Sequence, residues 1–117
     1  MVNTKRQGQF KFLIYKKEHE KFYTGVCLNL DIVEKDEDPV KLRKSLEEAA
    51  QGYLETVYKK NLNDDLLNKK APKEYWSLLE DLEKYLRLMR QPSKSSKSLD
   101  IQDSQIFTKN ISNLACV

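Results

Sequence analysis

The residues of this chain that could take part in covalent or acid–base chemistry are few, and they stand in no catalytic pattern. His19 is the single histidine among 117 residues and lies between charged side chains in a predicted turn, so we interpret it as solvated. Cys27 lies in an apolar run without a neighbouring base, Cys116 is the penultimate residue, and neither belongs to a CxxC or Cys/His motif. We therefore expect free thiols, no catalytic residue and no cofactor.

Acidic residues are concentrated between positions 31 and 38, where carboxylate oxygens could surround a hard divalent cation. They are Asp31, Glu34, Asp36, Glu37 and Asp38. A structural interpretation is favoured, because Asp31 is suited to turn the chain and Asp38 to cap a helix. We expect no metal site, and an enzymatic function would rest on this cluster alone.

Two features could bind a macromolecule. Tyr75 and Trp76 are aromatic residues of the kind enriched in interface hot spots, although packing of a helix against a core is the favoured interpretation. Residues 87–97 contain no acidic side chain, and their basic residues could contact phosphates: Arg87, Arg90, Lys94 and Lys97. The net charge of +3 is small for a nucleic-acid-binding domain.

Three strands are predicted to come first in the chain. The alternation of residues 9–15 predicts a strand with two different faces. One face carries Phe10, Phe12 and Ile14, and the other carries Lys11, Leu13 and Tyr15. Residues 22–28 are rich in β-forming types and predict a hairpin with the first strand, and residues 32–34 follow a tight bend as a third strand.

Two helices are predicted to follow. Asp38 and Pro39 combine an N-cap with a first-turn proline, and the apolar spacing beyond them predicts an amphipathic helix of about 20 residues. Gly52 interrupts it at a cost of roughly 0.5–1 kcal/mol, and we expect a close approach of the sheet to explain that glycine. The apolar stripe of residues 75–89 predicts the second helix, which ends before Pro92.

The chain divides into three segments on these patterns. Residues 1–62 form a β-β-β-α domain, residues 63–91 a second helical segment, and residues 92–117 a flexible linker and tail. Residues 105–108 either add a fourth strand to the sheet or belong to a frayed tail. The fold class is α+β, with a three- to four-stranded, mainly antiparallel sheet, a long helix on one face and a C-terminal helix.

No segment has the pattern of a secretory signal or a membrane span, so we expect a cytoplasmic protein without membrane contact.

Residues 9 to about 60 resemble the N-terminal domain of the HicB-type antitoxin family. The resemblance rests on the strand Tyr23-Thr24-Gly25-Val26-Cys27-Leu28 and on the helix segments Ser45-Leu46-Glu47-Glu48-Ala49 and Tyr53-Leu54-Glu55. Asp36 and Asp38 stand where that family has a turn glycine and a threonine cap. The resemblance implies a β-β-β-α-β sheet that neutralises a small RNA-cleaving toxin of the HicA kind by direct contact.

A protein-binding module with a toxin partner is therefore the first functional hypothesis. Exposed strand edges also predict a homo-oligomer, most simply a dimer. The alternatives are a nucleic-acid-binding transcriptional regulator and a self-associating HicB-like domain without a toxin. Antitoxins of this family usually add a DNA-binding motif, but a single second helix does not make a helix-turn-helix, so DNA binding has weak support.

Overall fold

A computed structural model describes residues 2–89 and 104–111 of the chain. The strands are β1 (Gln9–Tyr15), β2 (Tyr23–Cys27), β3 (Ile32–Asp36) and β4 (Gln105–Asn110), and the α-helices are α1 (Pro39–Lys59) and α2 (Lys73–Met89), with a short 3-10 helix (Asp64–Leu67) between them. All neighbouring strands are antiparallel, in the order β3-β2-β1-β4. The predicted α+β fold is confirmed, and residues 105–108 lie in a strand. The predicted linker, residues 92–98, lies outside the described residues.

Both faces of the sheet are covered, and the alternation of β1 explains how. Phe10, Phe12 and Ile14 pack in one buried cluster with the inner face of α1. Leu13 and Tyr15 belong to a second buried cluster, which α2 completes from the opposite side of the sheet. The predicted alternation of β1 is therefore confirmed, and each face of the strand contacts a different helix.

Helix α1 begins where the sequence predicts. The Asp38 carboxylate accepts hydrogen bonds from the backbone N–H groups of Val40 and Lys41, at 2.9 and 3.4 Å, and Pro39 occupies the first helical position. Such a cap contributes about 1 kcal/mol. The buried stripe of the helix consists of Leu42, Leu46, Ala50, Leu54 and Val57. Among the described residues, no helix has the length and apolar character needed to cross a membrane.

The expectation that Gly52 marks a close approach of the sheet is wrong. Gly52 is exposed, and no heavy atom outside its own helical surroundings would lie within 4 Å of an added Cβ. The close approach is at Gly25 of β2, where an added Cβ would lie 3.1 Å from both Leu42 Cγ and Leu46 Cδ2. The sheet accommodates α1 at Gly25, because any larger residue there would meet two buried leucines.

Strand β4 is attached to α1 as well as to β1. The ring of Phe107 stacks on Phe12 with centroids 4.7 Å apart, and the guanidinium carbon of Arg43 lies 3.8 Å from the Phe107 centroid. Arg43 also donates to Gln105 Oε1 at 3.0 Å, and Lys109 Nζ lies 3.3 Å from a Glu47 carboxylate oxygen. These contacts fix β4 at its place beside β1.

The N-terminal segment is tied to the region of the 3-10 helix. Asn3 donates to the Leu67 carbonyl, and its backbone exchanges two hydrogen bonds with the Asn68 side chain. Lys5 Nζ lies 2.8 Å from Asp64 Oδ1 and 2.6 Å from the Leu62 carbonyl oxygen. The hydrogen bond from Lys5 holds the pKa of the Asp64 carboxyl below its ordinary value.

Candidate partner-binding surface on the second helix

The adjacent aromatic residues Tyr75 and Trp76 lie in the first turn of α2 and are both half-buried. Each packs against the cluster that α2 completes, in agreement with the predicted core role. They nevertheless line two different cavities. The pair therefore contributes to two surfaces rather than to one aromatic patch.

An open groove of about 930 Å³ lies beside Tyr75, between the end of β1 and the first half of α2. We call it the Tyr75 groove. Tyr15, Tyr75 and Leu78 supply its aromatic and apolar lining. The remaining lining residues are Lys17, Pro72, Lys73, Glu74, Ser77 and Asp81.

The rim of the groove carries charges of both signs that remain available to a partner. Lys17 and Lys73 are balanced by Glu74 and Asp81, and within the described part of the chain none of these four forms an ion pair. An apolar centre within a polar rim is the usual composition of a protein–protein interface. The groove is therefore suited to a peptide segment with apolar anchors and flanking charges of both signs.

Tyr15 forms a wall of the groove and was not among the residues that the sequence singled out. Burial, and next the neighbouring Tyr75, raise the pKa of the Tyr15 phenol above its ordinary value. The neutral hydroxyl of a tyrosine can donate a hydrogen bond to a ligand. The available signal was the alternation of β1, which places Tyr15 on the face opposite Phe12. The sequence did not reveal that α2 would cover this face.

Of the basic residues proposed for phosphate contacts, only Arg87 lies in the described part of the chain. It is exposed in the last turn of α2, between Leu86 and Leu88, which are 37% and 54% exposed. Arg90, Lys94 and Lys97 lie outside the described residues. Phosphate binding by this stretch stays a prediction.

The residues considered for catalysis take structural or solvated positions. His19 is exposed in the turn after β1, with φ of 74°. Cys27 is fully buried, and burial raises the pKa of its thiol to about 12, so the nucleophilic thiolate is not populated at neutral pH.

The acidic cluster is distributed along turns and caps. Asp31 has φ of 57° in the turn before β3, an Asp36 oxygen accepts from the backbone of Asp38, and Glu34 accepts from Ser45 Oγ at 2.7 Å. In the parts of the chain that the structure describes, no three His, Cys, Asp or Glu residues lie together as potential metal ligands. Glu34 and Asp36 position the chain around the start of α1, whereas Asp31 turns the chain before β3.

Comparison with known proteins found no matching family model, no similar curated protein and no similar solved structure. The resemblance to HicB-type antitoxins therefore stays an expectation from the sequence. The function is inferred from the geometry of the described surfaces.

Proposed function

We propose that this chain is a protein-binding module and that the Tyr75 groove receives an extended segment of its partner. The observation that carries this proposal is the combination of an apolar lining with four rim charges that form no ion pair among the described residues. Apolar anchors in a groove supply most of the affinity, and rim charges set orientation and association rate. Tyr75 is the residue we expect to contact the anchor.

The partner we propose is a small RNA-cleaving toxin of the HicA kind, which the chain would neutralise by direct contact. The support is the sequence resemblance together with the succession of three strands, α1 and a further strand β4, as the resemblance implies, although the 3-10 helix and α2 are inserted here between α1 and β4. Neutralisation requires only that binding blocks the toxin, so the chain needs no catalytic group of its own.

We also propose that two copies associate through the outer edge of β4. Ile111 N–H donates to the Gly8 carbonyl at 3.0 Å, which makes Gly8 and Ile111 a hydrogen-bonded pair across β4 and β1. Because such pairs alternate along antiparallel strands, every second residue of β4 directs its backbone groups away from β1. The outward residues are Ile106, Thr108 and Asn110.

The outer edge of β3 differs from that of β4. The Leu28–Lys11 hydrogen bond shows which residues of β2 direct their backbone groups toward β1. The alternate residues of β2 pair with β3, and the register then leaves Val33 and Lys35 as the outward residues of β3. Within the described residues neither edge is paired. Strand β3 is short and its last three residues are charged, a composition that discourages edge pairing, whereas β4 has one charge in six residues. We therefore favour β4 as the edge that pairs with a second copy.

The groove is tested with two charge-matched variants. Ser77→Lys places a long cation at the rim of the Tyr75 groove, and Thr56→Lys places the same charge on an exposed position of α1, across the sheet. Tagged wild type and both variants are used to retain proteins from a nuclease-treated native lysate, and retained proteins are identified by mass spectrometry. We expect one protein to be retained by wild type and Thr56→Lys and lost with Ser77→Lys.

The toxin assignment has its own test. Expression of the retained protein alone should arrest growth and cleave RNA, and co-expression of this chain should restore growth. A retained protein that neither arrests growth nor cleaves RNA contradicts the toxin assignment and leaves the groove proposal in place. Equal retention by Ser77→Lys and Thr56→Lys contradicts the groove itself.

A further inference from the structure

A second cavity lies on the other side of the first turn of α2. It has a volume of about 340 Å³ and is lined by Asn3, Gln9, Lys11, Asn29 and Trp76. We call it the Lys11 cavity. Among its described lining residues none is acidic, and Lys11 is the one with a formal charge.

The hydrogen bonds around the Lys11 cavity engage the amide oxygens of Asn3 and Asn29 and orient these two side chains. Asn29 Oδ1 accepts the backbone N–H of Lys11 at 2.6 Å, and Asn3 Oδ1 accepts the backbone N–H of Gln9 at 2.9 Å. These bonds fix which end of each amide is the oxygen. The Asn29 amide nitrogen is therefore left as a donor, while the Asn3 amide nitrogen already donates to the Leu67 carbonyl.

The charge of Lys11 has no counterpart in the described part of the chain. Its side chain is half-buried, and its ammonium forms no ion pair there. An ammonium without a carboxylate partner is available to pair with a bound anion.

Trp76 borders the cavity and carries a donor without an acceptor. Its Nε1 is covered by protein atoms and has no hydrogen-bond partner among the described residues. A ligand in the cavity would therefore lie against the indole ring and be held by the exposed donors of Lys11 and Asn29. Trp76 is the only tryptophan of the chain, so tryptophan fluorescence reports on the surroundings of this one side chain, which borders the cavity.

We propose that the Lys11 cavity binds a small oxyanion, a carboxylate or a phosphate, with the Lys11 ammonium supplying the charge and the Asn29 amide a hydrogen bond. Both groups suit oxygen acceptors, and ion pairing is stronger where a cavity limits access of water. The site is separate from the Tyr75 groove and does not rest on the proposed function.

The test is a titration of the full chain, followed by Trp76 fluorescence. Sodium phosphate and sodium acetate are the two probes, each compared with sodium chloride at equal ionic strength. We expect a saturable change with at least one probe and not with chloride, and the probe that saturates at the lower concentration identifies the preferred anion class. A response that does not exceed the chloride response overturns the proposal.

Two variants test whether the anion binds at Lys11 and Asn29. Lys11→Met removes the charge and keeps an unbranched stem, whereas Asn29→Asp keeps the acceptor for the Lys11 N–H and replaces the donor by a negative oxygen. Each should weaken binding at least tenfold, while Lys44→Met, at an exposed position of α1, should leave it unchanged. Wild-type affinity in a folded Lys11→Met or Asn29→Asp variant, checked by circular dichroism, overturns the assignment.

Discussion

Alanine at Gly52 should stabilise the protein. The position is exposed in the interior of α1, and an added Cβ would have no tertiary contact within 4 Å. The substitution therefore changes only the helix propensity and the conformational freedom of the unfolded chain, and alanine is favourable in both respects. We expect the free energy of unfolding to rise by about 0.5–1 kcal/mol.

Alanine at Gly25 should have the opposite effect. The substitution gains about 0.4–1 kcal/mol by restricting the unfolded chain. The new Cβ would lie 3.1 Å from atoms of Leu42 and Leu46, which are 1% and 0% exposed and would have to shift within the core. Crowding of this kind costs about 1–3 kcal/mol, so we expect a net loss of about 1 kcal/mol.

Urea unfolding followed by far-UV circular dichroism measures both changes, provided that the slope of the free energy against urea is the same in all three proteins. The two variants should then differ by about 2 kcal/mol, from the estimates for helix propensity and crowding. Equal stability of Gly25→Ala and Gly52→Ala would refute the conclusion that α1 packs closely against Gly25. A destabilised Gly52→Ala would show that this face of α1 is covered.

Three further perturbations test other parts of the structure. Thr108→Pro removes an N–H that points away from β1, so it should preserve the fold and abolish self-association in sedimentation equilibrium. Lys35→Pro, on the opposite edge, should preserve both the fold and self-association. The pKa of Asp64 is lowered in the folded chain, so its stabilisation is present above the ordinary carboxyl pKa and is lost as the pH falls through the lowered value. Asp64→Asn should therefore reduce stability at neutral pH and not in acid, as urea unfolding at both pH values would show. Cys27 should resist iodoacetamide in a folded Cys116→Ser protein and react after unfolding, because its thiol is buried with a pKa of about 12, and rapid labelling before unfolding would contradict this.

The parts of the fold that the sequence predicted depend on local patterns. The alternation of β1 and the start of α1 at Asp38 and Pro39 are each determined within a few residues. Residues 105–108 could not be distinguished from a tail, because β4 is a strand through its pairing with β1, about a hundred positions earlier in the chain. Gly52 was misinterpreted because the sequence shows that a helix contains a glycine but not which side of the helix meets the sheet.

The candidate sites were less accessible to sequence reasoning. Tyr75 and Trp76 were recognisable as aromatic neighbours, but their separation into two cavities follows from the packing of α2 on the second face of the sheet. Tyr15, Lys11 and Asn29 were missed because tertiary packing brings them beside α2. The alternation of β1 placed Tyr15 and Lys11 on the face opposite Phe12, but a lysine on such a face is equally typical of a solvated surface.

The most direct test of the protein-binding proposal is calorimetric titration of the purified partner into wild type, Ser77→Lys and Thr56→Lys. We expect Ser77→Lys to weaken the affinity at least tenfold, which corresponds to about 1.4 kcal/mol, and Thr56→Lys to match wild type. An unchanged affinity for Ser77→Lys would contradict binding in the Tyr75 groove.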